Sequence, residues 1–344
     1  ADGIPISGPL AFSTPGSVGA WGAMHARYGR QSWANLFESA VYYAREGFGV
    51  TRAYRHYTEQ SSPVLLPDPR SARTFLRDGK VPALGTPITQ PELARTLEAL
   101  AGEGADSFYR GSIAKAFAAG CREVGALVTA EDLAECRPEE QAPIEVSYRG
   151  YTVREAPPNS MGWVLLQELK LVEQLDLAAM GALSADAIHT LVEAKKLAFE
   201  DRERHAGDPR FLDAPLAELL SDAYAARRAA LIDPRRATPR VKAVAGVRGG
   251  SDTTYFCVVD GRGNAVSAIQ SINSGYGSGV TAGDTGIVLN NRMSPWHLEP
   301  GHPNRLPPGK RVRHTMNPPM VFKDGELWCV FGTPGGDRQV QVNL

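Results

Sequence analysis

The sequence predicts an α+β fold in which helices come first along the chain and strands come last. Apolar residues recur at helical spacing in much of the chain before residue 233 and alternate as in strands after residue 252. The 35 glycines and 25 prolines supply many turns. A chain of 344 residues with 43% hydrophobic residues can bury a sizeable core. We expect one sheet-rich core, built by the C-terminal third and covered by the helices.

Composition excludes several classes of protein. The net charge of -1 offers no field that would steer the chain to nucleic acid or an anionic membrane. No apolar run approaches about 18 residues, so we expect no membrane span. The four cysteines form no CxxC pair and no His/Cys cluster with zinc spacing. We therefore expect no metal and no organic cofactor.

Helix signals dominate the first two thirds. Apolar spacing predicts a helix over Ser32–Arg45 with Gly47 as its C-cap, and Pro91 is suited to the first turn of another. A capping box at residues 129–132 begins a short helix. Alternation around Arg149–Gly150 predicts a hairpin over residues 144–155. Further helices are predicted at Ser112–Val124, 161–175, 184–205 and 216–231.

Strand signals begin after a basic, turn-rich linker at residues 233–252. The first two strands, TTYFCVVD and AVSAIQSI, form a hairpin around the turn GRGN. Later strands are predicted at residues 286–291, 318–322 and 326–332. The glycine-rich segment SGYGSG at 274–279 is a poor nucleotide loop, and we interpret it as a turn that lets backbone approach closely.

Thr253 stands where the linker meets the first strand. If the chain is cut before it, the new α-amine, with a pKa of about 8, lies within reach of its own hydroxyl and can act as its base. The same pattern is also typical of an ordinary strand that begins with threonine. The TPGGDR segment at 333–338 follows a strand, and its two glycines can form a nest of N–H groups for an oxyanion or simply a tight turn.

These segments resemble one family in the expected order. DTTYFCVVDGRGNAVSAIQSIN resembles the start of the small subunit of the gamma-glutamyltranspeptidase family of N-terminal nucleophile hydrolases. Five further small-subunit segments follow in order: GSGV, GIVLNNRM, PGHPN, PGKR and FGTPGGDRQVQ. Three upstream segments are similar to the large subunit: STPGSVGAW, YRGYTVREAPPNSMG and FEDRERHAGDP. The resemblance implies a four-layer αββα sandwich. It also implies a large-subunit-like region over 1–252 and a small-subunit-like region over 253–344, both shortened at their outer ends and intertwined in one domain.

The resemblance implies a self-processing amidohydrolase. Cleavage falls at Asp252–Thr253, Thr253 is the nucleophile, and Ser271 is the second hydroxyl that assists it. The implied donors are γ-glutamyl or related acyl amides of the glutathione type, and the acyl group passes from Thr253 to water or an amine. The two cleavage fragments stay associated. Any targeting segment would lie upstream, so the compartment is left open.

Three further positions follow from the resemblance. Asn273 matches an asparagine that lines the donor site, and Gly335 and Gly336 match the pair whose amides bind the oxyanion. The family arginine that grips the donor α-carboxylate would lie upstream of residue 1.

The donor site departs from the family pattern. In the family, a Glu or Gln and an Asp bind the glutamyl α-amine, and here these positions are Arg292 and Pro295. His314 and Thr315 replace the paired serines that bind the α-carboxylate. A guanidinium beside an ammonium costs ~1–4 kcal/mol at 4 Å, depending on the effective dielectric. Arg292, His314 and Thr315 therefore favour an anionic acyl amide without an α-amine, of glutaryl or oxalyl type.

Two alternatives stay open. Arg292 points into solvent or pairs with Asp284 and γ-glutamyl specificity survives, or the chain is a catalytically silent proenzyme fragment. Only Arg305–Gly309 separates Asn304 from Lys310, so the lid of well-known transpeptidases is missing and we expect hydrolysis to exceed transfer. Elsewhere, the charge run Arg202–Arg204 predicts a solvated helix face, and His302 is interpreted as structural.

Overall fold

The computed structural model describes residues 3–239 and 252–344. It contains two compact units, each built from two stretches of chain. The first unit comprises Ala1–Glu140 and Ile272–Ser294, and the second comprises Gln141–Ser271 and Pro295–Leu344. Most of the predicted linker lies outside the described residues. Both units take chain from each side of the Asp252–Thr253 bond, whereas the predicted large- and small-subunit-like regions divide at that bond and stay a prediction.

The first unit is helical. Its helices are α1 Ser17–Tyr28, α2 Glu38–Glu46, α3 Arg52–Leu65, α4 Pro69–Phe75, α5 Pro91–Glu103, α6 Ser107–Arg110, α7 Ser112–Val124 and α8 Ala130–Glu135. Two short strands, β1 Phe48–Gly49 and β2 Pro87–Ile88, pair antiparallel. Phe12, Phe117, Leu133 and Leu289 belong to the core that these helices enclose.

Local sequence signals account for several of these helices. The prediction for Ser112–Val124 is confirmed, and Gly125 closes that helix in the left-handed conformation. The capping box is confirmed, because Thr129 and Asp132 each bond the other's backbone N–H. The helix predicted over Ser32–Arg45 is a 3₁₀ turn at residues 34–37 followed by α2, which ends at Gly47 as expected.

The strand predicted at residues 286–291 is wrong. This segment makes only an isolated bridge between Val288 and Thr281. Leu289 makes backbone hydrogen bonds with Ser278 and Val280, and the Asn291 N–H donates to Ile272 O at 3.1 Å, so the backbone partner changes along the segment and no regular strand forms. The side chains of Asn290 and Asn291 also donate hydrogen bonds, to Ser13 O and Ser274 Oγ. Apolar alternation alone did not reveal this switch.

The second unit contains the sheets. Strands β3 Ile144–Tyr148, β4 Tyr151–Glu155, β7 Met320–Lys323 and β8 Glu326–Val330 form one antiparallel sheet in the order β3-β4-β7-β8. A second, two-stranded sheet pairs β5 Asp252–Val259 with β6 Ala265–Asn273. Both predicted hairpins are confirmed. The expectation of a sheet-rich core built by the C-terminal third is wrong in one respect, because β3 and β4, from the first half of the chain, supply two of the four strands of the larger sheet.

Helices accompany these sheets. They are α9 Gly162–Glu173, α10 Leu177–Met180, α11 Ala185–His205, α12 Leu216–Leu219, α13 Asp222–Ala229 and α14 Gln339–Asn343. Helix α9 is buried along nearly its whole length and packs on β3, β4 and α11. The helix predicted over 216–231 is instead α12 and α13, because Ser221 caps a new helix between them. Among the described residues, none of the helices combines the length and apolar character that crossing a membrane requires.

Candidate active site

The predicted nucleophile and its assisting hydroxyl meet in the β5–β6 hairpin. Thr253 is the second residue of β5, and Ser271 lies near the end of β6. The Thr253 hydroxyl donates a hydrogen bond to Ser271 Oγ at 3.2 Å. Thr253 is partly exposed, so its hydroxyl is set by the hairpin and still accessible. Antiparallel pairing within one hairpin thus brings together two residues that are 18 positions apart in the sequence.

The glycine pair lies in the turn after β8, in the same unit. Gly335 has φ +141° and Gly336 has φ +59°, which are conformations that favour glycine. The Arg338 N–H donates to Gly335 O at 3.1 Å and closes the turn. Before the turn, a Cβ on Gly332 would overlap the ring of Tyr255. Tyr255 is two residues from Thr253, so the chain that enters the glycine turn contacts the strand of the predicted nucleophile at Gly332.

An ion-pair network adjoins this turn, and sequence reasoning missed it. Arg202 Nη1 lies 3.0 Å from Asp337 Oδ1, and Arg202 Nη2 also pairs with Glu203. Arg313 Nη1 lies 3.3 Å from the other oxygen of Glu203. Burial alone would raise the pKa of Glu203, but Arg313 and Arg202 outweigh it and hold that pKa below its ordinary value.

The solvated face predicted at Arg202–Arg204 is therefore wrong for its first residue. Arg202 is buried in α11, while Arg204 is exposed. The spacing of the buried residues Ala194, Ala198 and Arg202 is four, which is the signal that could have placed Arg202 on the inner face.

A histidine pair adjoins the same carboxylate. Ligand atoms of Glu203, His297 and His302 all lie within 4.8 Å of one another. The two rings stack with centroids 3.5 Å apart, and the N–H of Asn304 donates to His302 Nδ1 at 3.0 Å. Because both oxygens of Glu203 already face guanidiniums and the rings lie parallel, we assign this cluster to ion pairing and packing. The structural role predicted for His302 fits these contacts.

The two predicted carboxylate-binding residues lie in the segment that follows Arg313. The His314 N–H donates to Asn159 O at 3.1 Å, and His314 Nδ1 accepts from the N–H of Met316 at 3.3 Å. The carbonyl of Thr315 accepts from Asn317 Nδ2 at 2.8 Å. These contacts fix the backbone of the segment, and the donor-binding role of His314 and Thr315 stays a prediction.

Asn273 belongs to an amide network in the first unit. Its Nδ2 donates to Asn291 Oδ1 at 3.1 Å and to Ser294 Oγ at 3.2 Å. Asn291 Oδ1 also accepts the Ser274 N–H at 3.0 Å, and Asn291 Nδ2 donates to Ile6 O at 2.8 Å. These hydrogen bonds, made to neutral groups, restrain the orientation of the Asn273 side-chain amide.

Arg292 follows this network in sequence and is 7% exposed. The alternative in which it points into solvent is therefore wrong. Asp284 forms an ion pair with Arg70, whose Nε lies 3.4 Å from Asp284 Oδ1. At the neighbouring departure from the family pattern, the carbonyl of Pro295 accepts from Asn304 Nδ2 at 2.8 Å.

Comparison with known proteins identifies the family. The gamma-glutamyltranspeptidase model matches residues 1–344. The chain belongs to this family. It is 40% identical over 340 residues to the glutathione hydrolase-like YwrD proenzyme of Bacillus subtilis (strain 168), covering 98% of this chain and 64% of the relative. It is 37% identical over 347 residues to the oxamate amidohydrolase proenzyme of Klebsiella pneumoniae, covering 98% and 64%.

Solved structures agree with the family assignment. Cephalosporin acylase from Bacillus halodurans superimposes with a TM-score of 0.88 and 34% identity, covering 99% of this chain and 63% of that one. The α+β prediction and the fold implied by the family resemblance are thereby confirmed. The chain spans a little under two thirds of the length of these relatives.

Proposed function

We propose that this chain is the greater part of a self-processing amidohydrolase that cleaves γ-glutamyl or related acyl amides through an acyl-Thr253 intermediate. The observation that carries the proposal is the hydrogen bond between Thr253 and Ser271 on paired strands, with Gly332, three residues before Gly335, packed on Tyr255 of the same strand as Thr253. Membership of a family whose relatives are named as proenzymes supports it.

Processing needs no group beyond those near Thr253 and one water. Thr253 Oγ1 attacks the carbonyl carbon of Asp252, the Asp252–Thr253 amide bond breaks, the hydroxyl proton passes to the Thr253 nitrogen, and an ester forms. Water then hydrolyses the ester and leaves the Asp252 carboxylate and a free Thr253 α-amine with its hydroxyl restored. Before the attack, Ser271 Oγ accepts the hydrogen bond of the Thr253 hydroxyl and so holds its rotamer.

Turnover reuses the same atoms. The freed α-amine takes the proton of Thr253 Oγ1 as the hydroxyl attacks the donor amide, and returns it to the leaving amine. The amides of Gly335 and Gly336 stabilise the oxyanion as the acyl-enzyme forms and again as water or an amine breaks it down. Both fragments stay together because β4 pairs with β7 across the cut, for example at Thr152 and Phe322.

The test is the intact mass of the purified protein after incubation at neutral pH, beside a Thr253→Ala variant. Two fragments, one ending at Asp252 and one starting at Thr253, are expected in the first sample alone. A Thr253→Ser variant is the matched control, because it keeps a hydroxyl and should still be cut. An uncut chain in all three samples would reject the proposal and favour a silent proenzyme.

A second candidate donor is an anionic acyl amide without an α-amine. The observation that favours it is the burial of Arg292 at the position where the family places a partner for the α-amine. Relatives named as an oxamate amidohydrolase and a cephalosporin acylase are compatible with such a donor. A γ-glutamyl anilide and its glutaryl analogue, compared on the protein and on an Arg292→Gln variant, separate the two. A strong preference for the γ-glutamyl compound by the unaltered protein would reject this candidate.

We also propose that hydrolysis exceeds transfer. The short connection from Asn304 to Lys310 is held close to its own unit, since Lys310 Nζ donates to Pro303 O at 2.5 Å and the Arg313 N–H donates to Asn304 Oδ1 at 2.9 Å. No lid-sized insertion exists between these two residues in the sequence. A transfer-to-hydrolysis ratio that rises strongly with millimolar acceptor dipeptide would contradict this expectation.

A further inference from the structure

We propose that Arg202 and Asp337 form a positioning pair that fixes the Gly335–Gly336 turn. This inference rests on the proposed role of that turn in stabilising the oxyanion. Asp337 directly follows the glycine pair, and its Oδ1 lies 3.0 Å from Arg202 Nη1. The pair links the turn to the last helical turns of α11, an element that sequence reasoning did not connect with the site.

The turn needs an external restraint because its own backbone supplies little. Gly335 and Gly336 adopt conformations that an unrestrained glycine leaves easily, at φ +141° and +59°. Within the turn, the described backbone bond runs from the Arg338 N–H to Gly335 O at 3.1 Å. The packing of Gly332 on the Tyr255 ring fixes the chain before the pair, and the Asp337 ion pair fixes it directly after.

Arg202 is suited to this task because its guanidinium is itself immobilised. Its side chain is 9% exposed, and Glu203 pairs with its Nη2. The ring of Phe199 lies 4.3 Å from its Cζ, and the Sδ of Met161 lies 3.9 Å from Nη1. Glu203 in turn is held by Arg313 at 3.3 Å. Asp337 therefore docks on a cation whose place is set by a packed helix.

Arg202 and Asp337 act through the amides of the turn and do not touch the donor. Loss of the pair should loosen the amides that stabilise the transition state and leave ground-state binding of the donor nearly unchanged. The expected signature is a fall in kcat with a steady KM. Misplacement of a catalytic group by about 1 Å can reduce the rate about 100-fold, and loss of one oxyanion donor reduces it by about 100- to 1,000-fold. The reduction in kcat caused by a loosened turn should be smaller than these values.

The test is steady-state turnover by the processed protein on the donor it hydrolyses fastest. Asp337→Asn removes the charge at nearly constant shape and should lower kcat by roughly 10- to 100-fold with KM within about threefold. Asp337→Glu and Arg202→Lys, which keep both charges, should recover part of that loss. Arg204→Gln, on the exposed face of the same helix, is the matched control and should keep the kcat of the unaltered protein.

A double variant separates positioning from a general loss of structure. If the two residues act only as a pair, Arg202→Lys added to Asp337→Asn lowers kcat no further. An unchanged kcat in Asp337→Asn, or losses that multiply in the double variant, would overturn the inference. Absence of Thr253-dependent turnover in the unaltered protein would instead reject the proposed function, so the two failures are distinguishable.

Discussion

Two polar networks hold the candidate site residues, one in each unit, and they use opposite physical means. In the first unit, Asn273 and Asn291 are oriented by neutral hydrogen bonds at 3.0–3.3 Å. In the second unit, Asp337, Arg202 and Glu203 are oriented by charge. A neutral amide network should be nearly indifferent to pH and salt, whereas a charged one depends on the protonation of its members.

The difference bears on what each network can tolerate. A buried amide both donates and accepts, so removal of one asparagine leaves several partners without a hydrogen bond. A partly exposed ion pair keeps some access to water. Removal of one member therefore lowers the free energy of unfolding less than removal of a buried asparagine does, unless the remaining charge is buried. The predictions below test this contrast by the free energy of unfolding in urea, measured in an uncut Thr253→Ala background.

The largest effect is expected where the amide network is braced by backbone. Gly277 has φ +53°, and a Cβ there would overlap the carbonyl of Leu289, which directly precedes the asparagines of the network. Gly277→Ala should lower the free energy of unfolding by about 3–5 kcal/mol, through strain at positive φ together with overpacking. Gly102→Ala, in helix α5 with open space around it, is the control and should be neutral or stabilising. A loss below about 1 kcal/mol for Gly277→Ala would show that this turn moves freely.

The next effect tests the network itself. Asn291→Ala removes an acceptor for Asn273 Nδ2 and the Ser274 N–H and a donor to Ile6 O. The expected loss is about 2–4 kcal/mol, because Asn291 is itself buried and the groups bonded to it lose a partner. The loss should be the same at low and high salt and between about pH 5 and pH 8. A loss that shrinks strongly in salt would mean that charge contributes here as well.

The charged network should respond to pH with a definite sign. Burial, and then the neighbouring His297, lower the pKa of His302 to about 4 from an ordinary 6.5. As the pH falls through 6.5 toward 4, the unfolded chain binds a proton that the folded chain does not, so stability present above pH 6.5 is lost.

His302→Asn keeps an acceptor for the Asn304 N–H and removes this proton. It should reduce the acid loss of unfolding free energy by about 1–2 kcal/mol, after allowance for solvent screening of a partly exposed ring. His205→Asn at the end of α11, in the same unit, is the control. Equal acid losses in the unaltered chain and His302→Asn would place the pH sensitivity elsewhere.

Sequence reasoning reached the parts of the site that local signals encode. Thr253 and Ser271 meet because they lie on the two strands of one hairpin, and hairpin pairing is a local property of the chain. The capping box at Thr129 was found for the same reason. The catalytic roles of Thr253 and Ser271, like those of Gly335 and Gly336, were assigned through the family resemblance and stay predictions.

The remainder depends on contacts between distant segments. Arg202 and Asp337 are joined only by the folded second unit, and no periodicity in either segment links them. The strand predicted at residues 286–291 is wrong because the segment bonds several distant stretches of chain in turn, with Asn290 Nδ2 donating to Ser13 O and Asn291 Nδ2 to Ile6 O, and tertiary partners decide this. The division into two discontinuous units likewise could not be predicted from local sequence patterns, because each unit combines two separate stretches of the chain.

The smallest change in the free energy of unfolding is expected at Arg204, which lies two residues after Arg202 in helix α11. Its side chain is 61% exposed and pairs with Glu200 four residues earlier in α11. Exposed pairs of this spacing contribute about 0.3–0.5 kcal/mol, since water screens the charges and ordering two long side chains costs entropy. Arg204→Ala should therefore change the free energy of unfolding by less than about 0.5 kcal/mol, and the change should vanish in high salt. Arg202→Met in the same helix is the comparison and should cost several times more free energy of unfolding, because Asp337 loses its ion pair with a guanidinium that is 9% exposed and Glu203 keeps only Arg313. Equal effects for the two arginines would mean that the inner charges are as well solvated as the outer ones, and the contrast between the charged network and an ordinary solvated helix face would fail.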